Sequence, residues 1–188
     1  MNIDQHETAV IEKTKYWLES FIINHNLCPF AKREFELGSI HFAVSSAKAP
    51  EVLLTDLMFE LDRLDSNDEI ATTLLIHPNT LTDFNEYNQF LNIVDDLLDE
   101  QNLVGVYQIA SFHPSYQFFG TQLNDAENYT NRSPFPLLHI LREEMVEAAV
   151  EAYLDINSIP ERNITLMNQL GGNELKSYFS NIQKLSAG

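Results

Sequence analysis

Three short apolar runs with two amphipathic helical stretches between them constrain this chain more than any other feature. Residues 39–46 (SIHFAVSS) alternate, with Ile40, Phe42 and Val44 on one face, which predicts a strand. Residues 71–77 (ATTLLIH) form a nearly continuous apolar run, the pattern of a strand covered on both faces. Residues 104–111 (VGVYQIAS) predict a third strand. Pro50 suits a first helical turn, and Leu53, Leu54, Leu57, Met58, Leu61 and Leu64 carry that helix onward. Thr82 and Asp83 offer caps to a second helix with the stripe Phe84, Tyr87, Leu91, Val94 and Leu98. Strands joined by helices of this length are usually parallel. The expectation is a β-α-β-α-β core in a small, mostly parallel sheet of three or four strands.

Helices at both termini are expected to cover that sheet. Val10, Ile11, Trp17, Leu18, Phe21 and Ile22 recur at helical spacing over residues 7–25. Ser133-Pro134 reads as the start of a long helix with the stripe Leu137, Leu138, Leu141, Met145, Ala149 and Tyr153. Ser158 and Glu161 match a capping box, Gly171-Gly172 ends that helix, and Asn173 offers a cap to a last one. With 188 residues, no linker and no repeat, the chain reads as one compact α/β domain over residues 1–188.

Composition excludes several classes of function. There are 28 Asp and Glu against 11 Lys and Arg, a net charge of −17. Such a surface repels nucleic-acid phosphates and anionic membranes, so neither partner is expected. A single Cys leaves no disulfide framework and no Cys-rich zinc module. No apolar run is long enough to span a bilayer, and MNIDQHETAV is not a secretory signal; a cytoplasmic location is expected. No Walker A, GxGxxG, HExxH or GxSxG pattern occurs, and the sequence specifies no cofactor.

In open α/β sheets ligands bind outside the carboxyl ends of the strands. Two of the expected strands end in His-Pro, at His77-Pro78 and His113-Pro114, which places both imidazoles on one rim. A long stretch without regular pattern, residues 112–133, then leads to Arg132-Ser133-Pro134. A helix start there would present free N–H groups to an anion, with Arg132 as a planar donor beside them. Tyr129, Asn131 and Ser133 flank that point, and His139 and Arg142 follow on the first helical turns. Cys28 precedes Pro29, so it reads as an N-cap near Lys32 and Arg33, surroundings that favour a thiolate nucleophile. The resulting expectation is an enzyme-like domain that binds a small phosphate- or carboxylate-bearing molecule for hydrolysis or group transfer. His113 would be the general acid or base, Cys28 the nucleophile, and Arg132 the anion anchor with His77 nearby. One alternative is a metal site from His77, His113 and His139 with Asp125 or Cys28. Another is a non-catalytic protein whose acidic surface meets a basic partner. The helix-rich termini are compatible with a homodimer.

The stretches LCPFAK (27–32), IHFAVSSA (40–47), TLLIHP (73–78), ASFHPSYQF (110–118) and ENYTNRSPFPLLHILRE (127–143) together resemble a bacterial family, domain of unknown function 1415. The resemblance runs from about Thr14 to Tyr153. It implies a cytoplasmic bacterial protein of one domain and assigns no residue a role.

Overall fold

A computed structural model gives residues 3–152 and 155–185. Helix α1 (Ile3–Trp17) continues as a π-helical stretch, Leu18–Ile23, and is followed by the short α2 (Ala31–Leu37). Then come β1 (Ile40–Val44), α3 (Pro50–Asp65), β2 (Thr72–Ile76), α4 (Phe84–Glu100) and β3 (Tyr107–Phe112). A loop containing a 3-10 turn, Ala126–Asn131, leads to β4 (Leu137–Arg142), which passes directly into α5 (Glu143–Ala152). Helices α6 (Ile159–Leu170) and α7 (Gly172–Lys184) complete the chain.

The four strands form one mixed sheet in the order β1-β2-β4-β3. β1 pairs with β2 in parallel, whereas β4 runs antiparallel to both β2 and β3. The expected β-α-β-α-β core is present, and β1, β2 and β3 share one direction. The expectation of a mostly parallel sheet is corrected, because β4 stands between β2 and β3 and runs against them. β4 was expected to be the first turns of a long helix. In the strand, Leu137 packs into one face cluster while Leu138 and Ile140 pack into the other. Both faces are covered, so the sequence is apolar at nearly every position and carries no period of two. The helical stripe survives only in α5, from Glu143 onward, and Tyr153 lies outside the described residues.

The sheet is the middle of three layers. On one face α3 and α4 place Leu53, Leu57, Leu61, Tyr87, Phe90 and Val94 against Leu75, Leu138 and Ile140. On the other, α1, the π stretch, α6 and α7 place Trp17, Phe21, Met167 and Ile182 around Leu74, Ile76 and Leu137. Local signals fix the helix ends as far as they reach. The Asp83 carboxylate accepts the N–H groups of Asn85 and Glu86 at 2.9 and 3.2 Å and caps α4. Gly171, at φ 80°, ends α6 in a conformation that side chains resist. Ser158 bonds back to the Asp155 carbonyl instead of capping α6, and Gly171 takes the place expected of Asn173 before α7.

Tyr87 ties the sheet to α4. Its hydroxyl donates to the Leu137 carbonyl at 2.8 Å and accepts the Phe112 N–H at 3.1 Å, bridging the ends of β3 and β4. Tyr87→Phe strands both backbone groups in the interior. The expected loss is about 1–3 kcal/mol in urea unfolding; no loss would mean the strand ends re-pair on their own.

Candidate functional site

The carboxyl ends of β1, β2 and β3 lie on one edge, and His77 and His113 follow β2 and β3 there, as the sequence suggested. Both rings flank Tyr87, with centroids 5.7 and 5.1 Å from its ring. Neither imidazole is open to a substrate: His77 is 0% exposed and His113 1%. Nδ1 of His77 faces the Thr80 carbonyl at 3.1 Å, and its Nε2 has no partner among the described residues. Burial pushes the His77 imidazole down to about 4. His113 accepts the Ser115 N–H at Nδ1 (3.0 Å), which leaves Nε2 to donate to the Leu81 carbonyl at 3.2 Å. Leu81 sits at φ 52°, in the left-handed region. The two histidines thus shape the turn between β2 and α4.

The long loop is also turned inward. Arg132 is 8% exposed. Its Nε donates to the Tyr116 carbonyl at 3.3 Å and its Nη2 to the Leu123 carbonyl at 2.6 Å. Its guanidinium lies over the Tyr129 ring, 4.1 Å from the centroid. Asn131 donates to the Ser111 carbonyl, and Ser133 to that of Phe135. The cradle of helical N–H groups expected at Ser133-Pro134 is corrected: residues 132–136 are non-helical, with a bend at 134–135, and β4 follows from Leu137. Asn128, in the same loop, is fully buried. It accepts from the Phe118 N–H and the Thr121 hydroxyl and donates to the Gln122 carbonyl. Asp125 accepts the Gln122 N–H at 2.7 Å. Arg142 is at the far end of β4 from Ser133, where its guanidinium donates to the carbonyls of Leu64, Asn67 and Ile70 and closes the end of α3.

His139 stands apart from these groups. It lies in mid-sheet, opposite Leu74 of β2 and Ala110 of β3. On that face, against α1, α2 and α5, is a cavity of about 910 Å³. Its walls are overwhelmingly apolar and include Trp17, Phe30, Leu74, Phe112 and Met145. Cys28 lines the same cavity, so the structure brings Cys28 and His139 to one place. Cys28 is not an N-cap: α2 begins only at Ala31, and the Cys28 carbonyl accepts the Ala31 N–H at 3.3 Å. Among the described residues the charged groups lining the cavity are Arg33, Glu34, Arg142 and Glu144. The Arg33 guanidinium meets the Glu34 carboxylate at 2.5 Å.

Burial alone pushes the His139 imidazole down to about 4, with no hydrogen bond or charge opposing it. It is therefore neutral at pH 7, with one ring donor and one ring acceptor unused among the described residues. Small side chains make the space above it: Ala71, Ala110, Ala148 and Ala149 all line the cavity. An alanine in the middle of β3 and the Ala148-Ala149 pair in α5 were the sequence signals for this hollow. Among the described residues no three His, Cys, Asp or Glu side chains gather as metal ligands. His139 is on the opposite face of the sheet from Tyr87, against which His77 and His113 stack.

Fold and cavity together define a three-layer α/β/α domain with an apolar chamber between sheet and helices. A family model described as Protein of unknown function (DUF1415) matches residues 9–177, and the chain belongs to that family. No curated protein and no solved structure matches it. Among the described residues no helix is long and apolar enough to cross a membrane.

Proposed function

We propose that this protein binds a small, largely apolar molecule in the cavity over His139. The observation that carries this reading is a chamber of about 910 Å³ with apolar walls and a single unpartnered imidazole in its floor. Ligand sites are typically of this size, apolar with a few convergent polar groups. The anionic ligand read from Arg132 gives way to an apolar one, since Arg132 is engaged by two carbonyls and an aromatic face. The two arginines of the cavity wall are engaged as well, Arg33 by the Glu34 carboxylate and Arg142 by three main-chain carbonyls. Hydrolysis or group transfer would fall to Cys28 in the wall with His139 as the base. The helix start expected at Cys28 lies further along, with Phe30 as the N-cap of α2, which favours binding over turnover.

N-phenyl-1-naphthylamine, a neutral fluorophore that brightens in apolar surroundings, tests this. It is expected to bind the wild-type protein saturably, one per chain. Ala149→Trp, which fills the cavity from α5, should weaken that binding by about tenfold or more, a loss of the order of one well-buried contact. Circular dichroism should show the variant folded. No saturable binding, or equal binding by Ala149→Trp, would overturn the reading.

A further inference from the structure

Resting on the cavity reading, we infer that the end of the ligand reaching the cavity floor carries an uncharged hydrogen-bonding group, a hydroxyl, phenol or amide, and that His139 recognises it. The surroundings of His139 supply the reason. On its own face the strand positions beside it are Leu137, Leu141, Leu74 and Ala110, with Phe112 6.3 Å away between ring centroids. None of these can neutralise a charge. An anion or cation set against the ring would be desolvated without a counter-charge, a cost far above that of one hydrogen bond. Thr72, the remaining polar side chain on this part of the cavity wall, is committed to the Ile140 carbonyl at 2.6 Å. A hydrocarbon end would displace water from the imidazole and leave its donor and acceptor unpaired. An uncharged donor or acceptor avoids both penalties. A second wall residue points the same way: Trp17 is 2% exposed and its indole N–H has no acceptor among the described residues.

The ligand is therefore an apolar molecule with a neutral polar end placed inward, and His139 sets the preference for that end. It is a specificity residue whose side chain makes no hydrogen bond among the described residues.

Displacement of N-phenyl-1-naphthylamine by naphthalene, 1-naphthol and 1-naphthalenesulfonate at neutral pH tests this, because the three share one ring system. In the wild-type protein 1-naphthol should compete about tenfold better than naphthalene, the worth of one good hydrogen bond. The sulfonate should compete less well than naphthol. In His139→Leu the advantage of naphthol over naphthalene should vanish, each competitor being scored against the fluorophore's own affinity for that variant. His139→Asn, which keeps a donor and an acceptor, should retain part of the advantage. Persistence of the naphthol preference in His139→Leu, its absence in the wild type, or tightest competition by the sulfonate would overturn the inference. Failure of the fluorophore to bind the wild type is a different result and counts against the cavity reading itself.

Discussion

Arg132→Ala should cost about 4 kcal/mol of folding stability, the largest loss expected from a single polar substitution here. The figure follows from what the guanidinium holds. It gives hydrogen bonds to the carbonyls of Tyr116 and Leu123 and lies flat over Tyr129, all at 8% exposure. A hydrogen bond from a charged donor is worth about 1.5–3 kcal/mol, and a desolvated cation–π contact about 2. Removal leaves two carbonyls in the loop interior to be rehydrated. The loss is then a large share of the 5–15 kcal/mol typical of a domain. Residues 113–131 should become sensitive to limited proteolysis before the rest of the chain. Arg132→Lys should recover less than half, because an ammonium cannot reach two divergent acceptors while lying over a ring. A cost below about 1 kcal/mol with an unchanged cleavage pattern would show that the Asn128 bonds hold the loop alone.

Acid should weaken the protein well before its carboxylates titrate. His77 is held neutral by burial, with its imidazole at about 4 against an ordinary 6.5. Between those two values the unfolded chain binds a proton that the folded chain refuses. The stabilisation is therefore complete above pH 6.5 and is lost as pH falls toward 4, to a total of about 3 kcal/mol for His77. His139 is pushed down to about 4 as well, and its opening onto the cavity lets water blunt its share. His113 is also lowered, by burial, and adds in the same direction. Down to about pH 5 most surface carboxylates remain ionised, so the slope there belongs to histidine. His77→Asn keeps a donor for the Thr80 carbonyl and removes the titration. Urea midpoints measured from pH 7 to 5 should fall steeply for wild type and more gently for His77→Asn. Parallel slopes would mean that water reaches His77 and that its burial exacts no charge penalty.

Much of the core was legible in the sequence because its signals are local. Ile40, Phe42 and Val44 alternate, the α4 stripe repeats with helical period, and Asp83 caps where it was expected to. β4 was not legible for a physical reason. A strand between two others, with helices on both faces, is apolar throughout, and Leu-Leu-His-Ile-Leu fits a buried helix equally well. The site was half legible. His139 and Cys28 were singled out, but as parts of a helix start and an N-cap that do not exist. Arg132 was read by its charge, in a chain rich in carboxylates, whereas its partners are main-chain carbonyls, which no side-chain pattern reveals. The cavity itself is an absence of volume. It shows in the sequence only as alanines where larger residues would ordinarily fill the space.

The position of β4 governs the order in which this molecule can assemble. β2 and β3 are both made before residue 113, yet neither hydrogen-bonds the other, since every ladder bond between them passes through residues 137–142. Without that segment the strand pairing of this structure reduces to one parallel pair, β1 with β2, and a β3 without a neighbour. Joining the sheet into one unit requires β4 to pair with β2 and β3 at both its edges. That step joins residues far apart in sequence and is intrinsically slow. The 112–133 loop, folded on Arg132 and Asn128, shortens the search by delivering β4 close to the gap. A weakened loop should thus slow refolding as well as destabilise the finished protein, making Arg132 a kinetic as much as a structural residue.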